Sequence, residues 1–204
     1  MKTYTDAQII AKLQTENKPL FTLDDFARLF SIKNRNTLYK TLQQLQKRKA
    51  VVSIKNGSYQ LAPDLINPPV SDFRLANFLY RPSYVSLETA LSLYGIITGF
   101  SYTITSVGLK QTQTISLGEK EFSYSQLTPQ LFWGYKKNVD HLIADPEKSL
   151  LDYLYFAYKG LRSTQLDEFD FSSIKKNKFK KYLNLTQKPN FIKFIKNNIK
   201  EISL

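Results

Sequence analysis

Through residues 6–49 the apolar positions recur with a period near 3.6. Over residues 51–61 the pattern changes to that of a β-hairpin. Ile9, Ile10 and Leu13 form the buried stripe of a first helix over Asp6–Gln14, which Asn17-Lys18-Pro19 ends. Leu23, Phe26, Ala27 and Phe30 recur at i, i+3, i+4 and i+7, predicting a second, short helix. Its start is well marked: Thr22 suits the N-cap, Asp25 stands three residues on, and Phe21 and Phe26 occupy the two positions of a hydrophobic staple. After the polar stretch Ser31–Thr37, a third helix is expected over Asn36–Lys49 with Leu38, Leu42 and Leu45 inward. Val51–Leu61 then alternates as a hairpin, and Asn56-Gly57 predicts a type I′ turn. The proline-rich segment from Ala62 to Pro69 interrupts periodic structure and sets a domain boundary, giving domains at 1–65 and 73–204.

The second domain has a different rhythm. A short helix is expected over Phe73–Tyr80, then extended Tyr84-Val85, then a helix capped by Ser86 with Leu87, Ala90, Leu91 and Tyr94 inward and Gly95 as its stop. Residues 102–107, 111–117 and 121–124 alternate and are rich in threonine, which predicts three strands in an antiparallel β-meander. Asp145 and Pro146 open a further helix with Leu150, Leu151, Leu154, Tyr155 and Tyr158 along one side, closed by Lys159-Gly160. Two amphipathic basic helices follow, over Ile174–Leu183 and Phe191–Lys200. The expected fold class is therefore α+β: a winged helix–turn–helix followed by a small α+β domain with a helical basic C-terminus.

Charge sharpens this picture. The net charge of the 204 residues is +12, from 29 Lys and Arg against 17 Asp and Glu. Residues 1–72 contribute 11 against 6, residues 73–160 contribute 8 against 7, and residues 161–204 contribute 10 against 4. Two basic ends around a near-neutral middle suit a polyanion such as nucleic acid, because each cation placed on a phosphate releases counterions. The plainer account of such charge is solubility. There are no cysteines, which excludes disulfides and thiolate metal sites. No apolar run reaches the ~18 residues needed to span a bilayer, and a cytoplasmic location with no membrane association is expected.

The candidate chemistry lies on the third helix. Asn36, Lys40, Gln43 and Lys47 share its outward face, and Lys33, Asn34 and Arg35 lie on the approach. Tyr39 joins them, and Lys55 sits at the hairpin tip beside phosphate reach. Amides and cations without carboxylates are the donors that read base edges and phosphates, so these nine residues are the candidate contacts to double-stranded DNA. Lys175, Lys176, Lys178, Lys180, Lys181, Lys193, Lys196 and Lys200 form a candidate second basic surface. It fits a second DNA-backbone contact, an RNA or protein partner, a membrane-surface helix, or a solvated lysine face.

An enzyme is not expected. The one dense acidic cluster, Asp167-Glu168-Phe169-Asp170, lies in a loop-like stretch without a phosphate-holding turn, and His141 is the sole histidine. Ser86 has no base near it in sequence and no glycine-rich elbow, so it reads as a cap. No catalytic residue, metal or cofactor is assigned. The aromatics of Phe132-Trp133-Gly134-Tyr135 fit a core, or the pocket of a ligand-sensing domain.

Two motifs go further as a pair. Tyr84-Val85-Ser86-Leu87-Glu88-Thr89-Ala90-Leu91-Ser92-Leu93-Tyr94-Gly95 and Ala144-Asp145-Pro146-Glu147-Lys148-Ser149-Leu150-Leu151-Asp152, behind a winged helix, resemble the AbiEi family of antitoxins from type IV toxin–antitoxin systems. The resemblance covers most of the chain and is weakest from Ser172 onward. It implies a bifunctional protein. The winged helix of such antitoxins represses its own operon at inverted repeats in the promoter, and the C-terminal domain counters a nucleotidyltransferase-like toxin without a stable complex. Such pairs provide abortive resistance to phage. Inverted repeats invite two protomers on DNA, and no heptad pattern argues for a stable dimer. The alternative is a simple winged-helix transcription factor whose C-terminal domain binds a ligand or a protein.

Overall fold

A computed structural model describes residues 4–99 and 102–199. The chain divides into two compact units, Met1–Ser71 and Asp72–Leu204, and its architecture is mixed α+β with one sheet in each unit.

In unit one, α1 (Asp6–Thr15) opens on a capping box in which Thr5 and Gln8 satisfy each other's backbone N–H groups. Strand β1 (Leu20–Thr22) leads into α2 (Leu23–Phe30), followed by α3 (Arg35–Lys47), β2 (Val51–Lys55) and β3 (Ser58–Leu61). The start of α2 behaves as its residues dictate. Thr22 Oγ1 accepts from the Asp25 N–H at 3.1 Å, and the Thr22 N–H donates to Asp25 Oδ2 at 3.0 Å. Burial works against the Asp25 charge, but the Thr22 donors and Arg28 hold its carboxyl below the ordinary value. Phe21 and Phe26 meet at 5.5 Å between ring centroids, which completes the staple. Replacing Thr22 by alanine removes the cap and is expected to cost about 1 kcal/mol, read as a lower denaturation midpoint with an unchanged slope.

The three strands of unit one lie in the order β1-β3-β2, all antiparallel. β1 is an addition to the sequence reading, where Phe21 figured only as a staple. Its pairing places Phe21 opposite Tyr59, and the two rings stack at 5.8 Å. The hairpin turn also differs from expectation. Gly57 has a φ of +68° but Asn56 is not in the left-handed region, so the turn is not type I′. A register shift between Ser53 and Lys55 supplies the extra twist that a second left-handed residue would have given. The core gathers Ile9, Leu13, Phe26, Phe30, Leu38, Leu42, Leu45, Val51 and Leu61.

Unit two holds α4 (Asp72–Leu79), β4 (Ser83–Val85), α5 (Leu87–Leu93), β5 (Thr103–Gly108), β6 (Gln113–Leu117) and β7 (Lys120–Gln126). It continues with β8 (Tyr135–Asn138), β9 (His141–Ala144), α6 (Pro146–Tyr158), α7 (Lys176–Leu185) and α8 (Pro189–Asn198). The six-stranded sheet runs β6-β7-β5-β4-β9-β8. This corrects the meander. The β6–β7 hairpin forms through Gly118 at φ +60°, but β5 pairs with β7, in parallel, and not with β6. Burial explains the order. β6 is largely solvent-facing and can stand at an edge, whereas β5 and β7 carry the buried Val107, Phe122 and Tyr124 and need neighbours on both sides.

Helix α6 also departs from expectation. Asp145 caps it, its Oδ1 accepting from the Lys148 N–H at 2.9 Å, and Pro146 takes the first position as predicted. Every residue from Glu147 to Ala157 is buried, however, so the helix is enclosed on all sides and not along one stripe. α5, β9, α7 and α8 all pack against it. A helix enclosed in this way must settle its polar residues internally.

Candidate nucleic-acid interface and the buried motif junction

The connection between α2 and α3 is built from two local devices. Ser31 ends α2 in the left-handed conformation (φ 55°, ψ 36°), and its N–H bonds back to the carbonyls of the last turn. Asn34 starts α3, its Oδ1 accepting from the Thr37 N–H at 3.1 Å. Asn34 therefore has a capping duty that its reading as a DNA contact leaves out. α3 begins one residue earlier than expected and ends at Lys47, because Lys49 turns left-handed at φ 57°.

Lys33, Arg35, Asn36, Lys40, Gln43 and Lys47 are all exposed, Tyr39 is 45% exposed, and Lys55 is exposed near the end of β2. Among the described residues, the side chains of Lys33, Arg35, Lys40 and Lys47 form no ion pair. Three other cations of unit one are committed inside it. Lys12 Nζ donates to the Leu29 carbonyl at 2.8 Å, Arg28 pairs with Asp25 at 2.7 Å, and Arg48 pairs with Asp6. The uncommitted charge is thus concentrated on α3 and its approach, which charge counting alone could not separate from the rest.

In unit two the segments 84–95 and 144–152 meet. Tyr84 Oη and Ser86 Oγ each donate to Asp152 Oδ2 at 2.9 Å, and the Lys148 ammonium pairs with Asp152 Oδ1 one helical turn away. Lys148 and Asp152 are each 1% exposed, and Tyr84 and Ser86 are fully buried. The Lys148 ammonium also lies 5.0 Å from the Trp133 ring and 5.6 Å from the Tyr84 ring. Burial pushes the Lys148 ammonium down and the Asp152 carboxyl up, each partly offset by the other's charge. Burial and the neighbouring Asp152 raise the Tyr84 phenol well above its ordinary value. The aromatics of 132–135 pack over this junction, Tyr84 stacking on Tyr135 at 4.6 Å.

Two sequence expectations change here. Ser86 does not cap α5, since its hydroxyl is spent on Asp152. Thr105, on β5, takes over: its Oγ1 accepts from the Thr89 N–H at 3.0 Å and donates to the Ser86 carbonyl at 2.8 Å. Lys178 does not belong to an outward basic surface. Its ammonium bonds Asp145 at 2.9 Å and Glu147 at 2.8 Å, and these partners, working against burial, hold it above the ordinary lysine range. Tyr182 adds a bond to Asp145 at 2.8 Å, so α7 is latched onto the start of α6. Lys175, Lys176, Lys181, Lys193 and Lys196 are exposed and Lys180 is half-buried, while Lys200 lies outside the described residues.

Gly134 permits the junction to close. Its φ is +76°, and an added Cβ would stand 2.8 Å from the locked Lys148 stem. Replacing Gly134 by alanine is expected to destabilise unit two by about 1–3 kcal/mol through strain and overpacking, measured by chemical unfolding.

His141 is held by its neighbours in unit two. His141 Nδ1 lies 3.0 Å from Asp140 Oδ1, with its ring edge-on to Phe73 at 5.1 Å. Among the described residues no three His, Asp or Glu side chains converge as a metal site would require, Asp167 and Asp170 included. No helix among them is long and apolar enough to cross a membrane. Compared with protein-family models and with curated proteins, the sequence matches none.

Proposed function

We propose that this chain is a DNA-binding repressor with an antitoxin body, of the kind its paired motifs resemble. Unit one is read as a winged helix–turn–helix, with α2 and α3 as the helix pair, α3 as the recognition helix and the β2–β3 hairpin as the wing. The observation that carries this reading is the outward face of α3. It presents Arg35, Asn36, Tyr39, Lys40 and Gln43 to solvent, and no Asp or Glu occurs anywhere from Phe26 to Pro63. Such a face repels no phosphate, and its amides and cations suit the major groove.

The antitoxin part rests on segments 84–95 and 144–152, which resemble the AbiEi antitoxins and which the Asp152 network ties into one buried centre. In this reading unit two counters a nucleotidyltransferase-like toxin without a lasting complex and has no enzymatic activity of its own. The test has two arms. The full chain should bind its own promoter fragment at least about 10³-fold more tightly than a shuffled duplex. Residues 72–204 expressed alone should restore growth against the product of the neighbouring gene. Equal binding to both duplexes would remove the repressor, and a folded fragment that fails to rescue would leave a simple winged-helix regulator.

A further inference from the structure

The C-terminal end of α6 and the turn between α7 and α8 enclose a cleft of about 280 Å³, with Tyr155 and Phe191 in its floor and Tyr158, Gln187 and Asn190 in its walls. Two lysines from separate elements converge there. Lys159 Nζ lies 5.8 Å from the Tyr155 ring centroid and 5.9 Å from that of Tyr158, and Lys188 Nζ lies 5.9 Å from Tyr155. Two ammonium groups on one cleft favour an anionic ligand, and among the described residues no carboxylate lines it. Among the described residues neither lysine forms an ion pair. Lys188 occupies the N-cap position of α8 through its backbone alone, so its side chain has no capping duty.

The lining narrows the class of ligand. Two ammonium groups with nearby side-chain amides fit the oxygens of a phosphate, and the Tyr158 edge offers an aromatic surface to a ring attached to it. The volume lies just below the usual range of ligand pockets, room for at most one nucleotide unit. We propose that this cleft binds the phosphate of a single nucleotide unit, with Lys159 and Lys188 sharing its charge. The site lies within unit two and does not depend on the DNA-reading role of α3.

The test is calorimetric titration of the full chain with 5′-uridine monophosphate, uridine, inorganic phosphate and a hexauridylate. Saturable binding of the monophosphate is expected, with uridine and inorganic phosphate each at least about tenfold weaker. The Lys159→Gln/Lys188→Gln variant should lose at least about tenfold in monophosphate affinity and keep its affinity for a promoter duplex. Arg35→Ala/Lys40→Ala should do the reverse. A hexauridylate that binds about 100-fold more tightly, with the same sensitivity to the two lysines, identifies a strand as the source of the phosphate; equal affinity identifies the free nucleotide. In the unmodified chain the amide resonances of Gln187, Lys188, Asn190 and Phe191 should move with the monophosphate, a readout independent of whether any variant folds. No saturable binding, inorganic phosphate binding as tightly as the monophosphate, binding that survives loss of both lysines, or shifts confined to α3 would each overturn the proposal.

Discussion

Raising the salt from about 50 to about 200 mM is expected to weaken binding of the full chain to its promoter by about 10³-fold or more. Lys33, Arg35, Lys40, Lys47 and Lys55 supply five cations per protomer, hence ten for two protomers on an inverted repeat. If six to ten of these meet phosphates, the logarithm of affinity falls against the logarithm of salt with a slope of about −5 to −9. The Arg35→Ala/Lys40→Ala variant removes two charges from each protomer and should flatten that slope by about 2 per protomer, with loss of operator binding at moderate salt. The fold should survive, because among the described residues neither side chain makes a hydrogen bond or ion pair, and both are exposed. Fluorescence anisotropy across a salt series measures both quantities. An affinity and slope unchanged in the double variant would take α3 out of the interface.

Replacing Asp152 by alanine is expected to cost about 3–5 kcal/mol and to lower the melting temperature of unit two by roughly 10 °C or more. Three donors lose their acceptor at once, and one of them is the Lys148 ammonium, buried and, among the described residues, in no other ion pair. That stranded charge accounts for most of the loss, since an unpaired buried hydroxyl costs about 1–3 kcal/mol and an unpaired charge costs more. The comparison that isolates it is Lys148→Met/Asp152→Leu. With both charges gone, this variant should be less destabilised than the single substitution, because desolvation of the pair is removed together with its attraction. Calorimetric or chemical unfolding of the full chain gives both values. A loss below about 1 kcal/mol in the alanine variant would mean that the junction is not what holds α6 to β4 and α5.

Several local devices of this chain were legible in its residues, the turn type at Asn56-Gly57 and the Asn34 cap excepted. Thr22, Asp25, Phe21 and Phe26 predicted the start of α2, and Asp145-Pro146 predicted the start of α6, because caps and staples act within five residues of one another. The 3.6-residue spacing of Leu38, Leu42 and Leu45 likewise separated the buried face of α3 from the exposed one. At Gly118 the β6–β7 hairpin turns at a positive φ, which glycine adopts without a steric penalty.

What the sequence by itself determined, then, are the elements whose signals act over a few residues, together with the acid-free face of α3. Tertiary structure decided everything that depends on distant segments meeting. The alternation of residues 102–124 announces strands but carries no record of their order; the burial of β5 and β7 sent β6 to the edge. Ser86 looks like a cap until Asp152, 66 positions away, takes its hydroxyl and Thr105 replaces it. Lys178 looks like one more surface lysine and Lys148 like one more residue of a capped helix, until the enclosure of α6 turns the first into a latch and the second into half of a buried pair. A lysine's role is set by the dielectric and the carboxylates around it, and neither exists until the chain has packed.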